Sequence, residues 1–184
     1  MKVNLGAYDN SWYNPGHPLK RLCWYVTSFL FFRNPVFPFY GFKVFLLRIF
    51  GARIGQGVII KPGVHIKYPW MLQTGDHVWI GEGAWIDNLA NVTLGNNVCI
   101  SQGAMLLCGN HNYSKPGFDL IVKEIIMEEG SWSGAKSIVT GGVKMGSHAI
   151  LTAGSVATKD LEAWGIYQGN PALKIKERTM ETPV

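Results

Sequence analysis

The chain has 184 residues, 47% of them apolar, with 22 glycines and a formal net charge of +5. That length suits one domain with extensions, and the basic balance admits an anionic partner. No run of cationic residues interleaved with aromatics occurs, which argues against a nucleic-acid face, and the odd count of cysteines (Cys23, Cys99, Cys108) among apolar neighbours is expected of reduced thiols in a cytoplasmic protein.

Residues 1–12 lack the apolar stretch and cleavage site of a signal peptide. Leu22 to Phe50 is apolar and aromatic, but Arg33, Pro35, Pro38, Lys43 and Arg48 interrupt it. No run reaches the roughly 18 residues a membrane span needs. The pattern predicts two short helices, over 18–32 and 40–50, joined by a Pro-rich turn at Asn34 to Pro38. Two compatible roles follow for residues 1–53: a cap over the open end of a core, and an aromatic, basic patch that touches an anionic membrane.

From Ile54 the sequence repeats every twenty residues. Gly55, Gly75 and Gly95 form one series; Val58, Val78 and Val98 a second; Ile60, Ile80 and Ile100 a third; Ile66, Ile86 and Leu106 a fourth. Within each repeat runs a beat of six, an apolar residue followed four places later by a small or branched one. A fixed period of this kind marks a solenoid, and aligned series at one spacing exclude a β-sandwich of unrelated short strands. The fold class is therefore all-β, a parallel β-helix in which three hexads make the sides of a prism and two extra residues turn one corner. The beat resumes at eighteen with Met127, Ser133, Val139, Met145, Leu151 and Ala157. About five coils span 54–162, and 163–184 form a tail packed on the solenoid.

The stretch 109–125 breaks the rhythm. A long irregular loop inside a strict repeat is a functional insertion. It carries His111, flanked by Gly109-Asn110 and Pro116-Gly117, which shape the turn. His65, His77 and His148 occupy variable solenoid slots and His17 a Pro/Gly segment.

The repeat, the loop Gly109-Asn110-His111 and the tail Gly169-Asn170-Pro171-Ala172 resemble the hexapeptide-repeat acyltransferases, which fold as left-handed parallel β-helices. Asp9-Asn10-Ser11-Trp12-Tyr13, Asn110-His111-Asn112-Tyr113 and Glu128-Glu129-Gly130-Ser131-Trp132 are similar to the subgroup of colanic acid biosynthesis acetyltransferases. The resemblance implies a homotrimer that moves an acetyl group from acetyl-CoA to a sugar hydroxyl, without a metal. His111 matches the family's catalytic histidine; an imidazole can take the hydroxyl proton as oxygen attacks the thioester. Glu124 and Glu128 are candidates to orient the ring. Asp87 and Asn88, with Asn110, match acceptor-binding positions, and Asp9 is a weaker case. Small residues that let the pantetheine arm run along the backbone match Ser133, Gly134, Ala135, Gly141, Ala153, Gly154 and Thr158. The CoA phosphates call for cations such as Lys159 and Lys176, or Lys174, because Leu173 stands where relatives often carry a basic residue.

Two other classes make distinct demands. A zinc enzyme on this fold needs three converging histidines, two close together across a coil, and no His-x4-His pair occurs. A non-catalytic sugar-binding scaffold would not bind CoA. For the enzyme, the expected acceptor is a surface-polysaccharide intermediate, lipid-linked at the inner face of the membrane; the alternative is a soluble sugar or a xenobiotic alcohol.

Overall fold

The computed structural model describes residues 2–181. The aligned series of the sequence become ladders, one per side of a three-sided left-handed β-helix, in parallel register. On face two, Ile60, Ile80, Ile100, Ser133, Leu151 and Tyr167 stack in register and all point inward. Face three stacks Ile66, Ile86, Leu106, Val139 and Ala157, all buried. Each fully buried Ile or Leu contributes roughly 1.5–3 kcal/mol, so no coil is stable without its neighbours. The corners need left-handed backbone: Gly57, His77, Asn97, Gly130, His148 and Trp164 repeat that conformation coil after coil. His77 and His148 are thereby corner residues, and the His148 ring stacks on Trp164 at 4.2 Å.

The ladder runs on beyond residue 162. Gly165–Gly169 pairs in parallel with Ile150–Leu151, and Ala172–Glu177 closes that edge as an antiparallel strand. The periodicity fades there because an aromatic, Tyr167, fills the aliphatic slot; its hydroxyl accepts from Glu162 N at 2.9 Å.

The N-terminal helices form as the sequence predicts. α1 is Pro18–Thr27, extended by a π-helical turn over Ser28–Phe32, and α2 is Tyr40–Ile49. Their task is set by the open outer edge of the first coil. The N–H groups of the first coil donate to carbonyls of the second, for example Ile59 N to Val78 O and His65 N to Ala84 O. The second coil donates back to some first-coil carbonyls, such as Gln56 O and Pro62 O, but others on the outer side have no coil to meet, an edge that native sheets must cover. One cap side chain serves each face. Arg48 donates to Ile54 O (2.7 Å) and Gly55 O (2.9 Å), Lys43 Nζ to Lys61 O (3.0 Å), and Trp24 Nε1 to Ile66 O (2.9 Å).

Lys43 is fully buried, and burial lowers its ammonium from 10.5 to about 8. Between those pH values the unfolded chain holds a proton that the folded chain has released. Its destabilising contribution is complete below pH 8 and removed as the pH rises to 10.5, so stability should increase across that window. In urea unfolding at pH 8, 9 and 10, wild type should gain stability relative to Lys43→Met. A difference that stays flat or reverses contradicts this role.

Candidate active site

The first three coils carry their extra residues at one corner, between face three and face one, where they stack. Coil one supplies Lys67 and Tyr68, and coil two Asp87 to Leu89. In coil three the same corner grows into a hairpin, in which Gly109–His111 runs antiparallel to Leu120–Val122 with His111 opposite Leu120. The turn at 112–119 is tied by Asn112 N to Asp119 O (2.8 Å) and by a Lys115–Asp119 ion pair (2.9 Å). Asn4 N donates to Pro116 O (2.9 Å), so the N-terminal segment starts on the hairpin and runs back to the cap. Hairpin, stacked corners and N-terminal segment enclose a cavity of about 830 Å³.

His111 lines this cavity. Its Nδ1 lies 2.8 Å from Phe118 O, and its ring stacks on Phe118 with centroids 4.5 Å apart, while Tyr8 leans on it at 5.8 Å. A carbonyl only accepts, so Nδ1 carries the hydrogen, and in the neutral imidazole the free lone pair is on Nε2. The expectation of a carboxylate partner is therefore corrected. Glu128 is held by Lys144 (2.6 Å) and Ser147 N (3.0 Å), and the Lys144 contact keeps its carboxyl below the usual range. Neither Glu124 nor Glu128 lines the cavity. A backbone carbonyl does the orienting, which no residue type announces.

Asp87 lines the cavity and pairs with Lys67 Nζ at 2.8 Å. Asn110 lines it too, with its Oδ1 accepting from His111 N at 2.8 Å. Asn88 does not reach it. Its side chain is completely buried, accepting from Lys67 N and Tyr68 N and donating to Tyr68 O (2.6 Å), so it locks the corner of coil one onto coil two. Asp9 lies outside the lining, where its carboxylate accepts from Ser11 N, a contact that lowers its pKa. Sequence reasoning missed Tyr8, Tyr13, Arg21 and Lys67, all in the wall. Lys67 stands one twenty-residue period before Asp87, a signal that was available. Tyr13 donates to Leu89 O (2.7 Å), and burial first, then the charges of Tyr68 and Asp87, push its phenol up, so it remains protonated.

Comparison with known proteins adds a family to this geometry. No family model matches the chain. It is 36% identical over 164 residues to the Escherichia coli protein named "Putative colanic acid biosynthesis acetyltransferase WcaF", covering 89% of this chain and 90% of that one. The chain belongs to the hexapeptide-repeat acetyltransferases. Two solved structures share its fold. A galactoside acetyltransferase in complex with coenzyme A superposes with a TM-score of 0.76 at 23% identity, over 87% of this chain and 81% of that one. A hexapeptide-repeat acetyltransferase of Vibrio cholerae, complexed with acetyl coenzyme A, gives 0.70 at 21% identity, over 74% and 76%.

In this hexapeptide-repeat acetyltransferase the small residues of the C-terminal coils fall on both edges of face three. Ser133, Gly134, Ala135, Ala153 and Gly154 turn from face two to face three, while Gly141, Thr158 and Lys159 turn from face three to face one, the edge that bears the hairpin. Ser133 is buried with its hydroxyl 2.7 Å from Ser137 Oγ, so its side chain serves the core rather than a groove. A Cβ at Gly134 would sit 2.7 Å from Ala153 N, and one at Gly141 2.7 Å from Cys108 O; both glycines permit coil stacking. Ala153, Gly154, Thr158, Lys159 and Lys176 are exposed. Lys174 is engaged by Glu162 and Glu177, each at 2.7 Å, which raises its pKa. Lys159 and Lys176 make no ion pair among the described residues.

Proposed function

We propose that the protein is an O-acetyltransferase that moves the acetyl group of acetyl-CoA to a sugar hydroxyl in surface-polysaccharide biosynthesis, with His111 as general base. The observation that carries the reading is the Nδ1 tether to Phe118 O in a cavity-lining histidine, which leaves Nε2 as the acceptor. The hydroxyl oxygen attacks the thioester carbonyl while Nε2 takes its proton. The tetrahedral intermediate then expels the thiolate, which receives that proton as free CoA. The Lys67–Asp87 pair, Asn110 and the tyrosines supply hydrogen bonds and a ring surface suited to a sugar. The CoA complexes of the two structural neighbours favour CoA as donor. Lys159 and Lys176, free of partner carboxylates, are the cations offered to its phosphates in place of the occupied Lys174. The name of the Escherichia coli relative favours a polysaccharide acceptor.

A homotrimer fits the outward residues. Face two presents Ile59, Trp79, Cys99, Trp132, Ile150 and Ile166, and face three presents Met105, Ile138 and Val156, whereas face one presents Arg53, Gln73, Thr93, Ile126 and Lys144. A cyclic trimer of three-sided prisms uses two different faces of each chain in one heterologous contact, matching two apolar faces and one largely polar one. The exposed face of the cap, with Leu22, Tyr25, Phe29 and Phe45 beside Arg33 and Arg48, suits the surface of an anionic membrane on the cytoplasmic side. No described helix is long and apolar enough to cross one.

Thiol release from acetyl-CoA, followed against polysaccharide-derived oligosaccharides, soluble sugars and simple alcohols, tests the reading. Acceptor-dependent release by a particle of trimer mass is the expected result. Failure to bind CoA would instead favour the non-catalytic scaffold, and turnover of alcohols alone would displace the polysaccharide role.

A further inference from the structure

A second cavity, of about 440 Å³, lies on the far side of the Lys67–Asp87 pair from His111. It is bounded by α1 and the π-helical turn on one side and by His65, Ile66 and Trp85 of face three on the other. It shares Arg21, Lys67, Tyr68 and Asp87 with the first cavity, so the two cavities adjoin. Its charge is unbalanced: Arg21, Arg33 and Lys67 line it with a single carboxylate, Asp87, which Lys67 already pairs. Two buried polar atoms of its lining, Arg21 Nε and Ser28 Oγ, have no hydrogen-bond partner among the described residues. Ser28 is only 4% exposed, and an unmade hydrogen bond at such a site costs about 1–3 kcal/mol. His65, held below its ordinary pKa by burial and then by Arg33, adds a neutral ring. Buried donors, excess positive charge and an empty volume together describe a seat for a phosphate. At its outer end stand Leu22 and Tyr25, which continue onto the exposed apolar face of α1.

We infer that this second cavity is a phosphate subsite of the acceptor: Arg21, Arg33 and Ser28 bind a phosphoester that links the sugar under acetylation to the remainder of the substrate. The subsite rests on the acetyl-transfer reading for what occupies the first cavity, whereas phosphate recognition itself does not. It defines the acceptor class as a glycosyl phosphate or diphosphate. The group beyond the phosphate is either a hydrocarbon chain, which the Leu22–Tyr25 mouth would accommodate, or a nucleoside.

The test is direct binding by calorimetry at saturating CoA, which blocks any phosphate site used by the donor. Farnesyl phosphate and uridine diphosphate represent the two sources, with farnesol and uridine as neutral controls. At least one phosphate probe should bind, its control should not, and Arg33→Gln and Ser28→Ala should each weaken binding, Arg33→Gln by about 10- to 100-fold with partial recovery in Arg33→Lys. Thermal unfolding of each variant separates loss of a ligand contact from loss of fold. Tighter Arg33-dependent binding of farnesyl phosphate identifies a lipid-linked acceptor, and of uridine diphosphate a nucleotide sugar. Equal affinity for the neutral controls, or phosphate binding unchanged in Arg21→Gln and Arg33→Gln, overturns the inference. If CoA itself fails to bind, the acetyl-transfer reading falls, and the Arg33 dependence still decides the phosphate subsite.

Discussion

Replacing His111 by alanine is expected to lower kcat/KM for acetyl transfer by 10²–10⁴-fold, about 2.7–5.4 kcal/mol of transition-state stabilisation. The fold should survive, because the histidine lies on a hairpin outside the coil stack and is half-buried. His111→Asn separates the two roles of the ring. Its amide can still donate toward Phe118 O and hold the hairpin, but it cannot take a proton. Both variants should therefore be equally impaired while unfolding at the wild-type temperature. An asparagine variant of near wild-type activity would reduce His111 to a structural tether.

The second large effect lies in the cap. Trp24 is buried against Phe32 and Phe50, with ring centroids at 5.0 and 5.1 Å, and its Nε1 closes the open edge of face three at Ile66 O. Trp24→Ala removes both and should cost about 3–5 kcal/mol. Trp24→Phe keeps most of the packing but orphans the carbonyl and should cost about 1–3 kcal/mol. Urea unfolding of the two variants resolves these contributions. A loss below about 1 kcal/mol for Trp24→Ala would mean that the first coil needs no cap at that face.

The cap also shows how far sequence reasoning reaches. Its helices, their Pro-rich turn and its place over the open end are visible in apolar pattern and proline position. The donors that close the edge are not. Lys43 and Arg48 read as interruptions of an apolar stretch, and only the unpaired carbonyls on the outer edge of the first coil turn them into caps. The solenoid was legible because a stacked fold repeats the same demand at the same slot. Ile60, Ile80 and Ile100 face one environment, and the signal weakens where the slot is filled differently, as by Ser133 and Tyr167.

The site divides along the same line. The break in period exposed His111, and the family resemblance pointed to Asp87. Asn88 is chemically suited to a ligand, but its neighbour in the preceding coil consumes its hydrogen bonds. The partner of His111 is a main-chain oxygen, and Arg21 reaches the cavity from a helix far away in sequence. Neither contact follows from residue type or spacing; the first follows from the turn of the hairpin, the second from how the N-terminal segment folds back along the corner.

The most direct test of the account is a structure of the protein with CoA and an accepted sugar bound together. The reacting hydroxyl should lie within about 2.6–3.2 Å of His111 Nε2, with the CoA sulfur on the far side of that oxygen. A sugar bound outside the cavity of Asp87, Asn110 and His111, or a reacting hydroxyl directed away from Nε2, would contradict it.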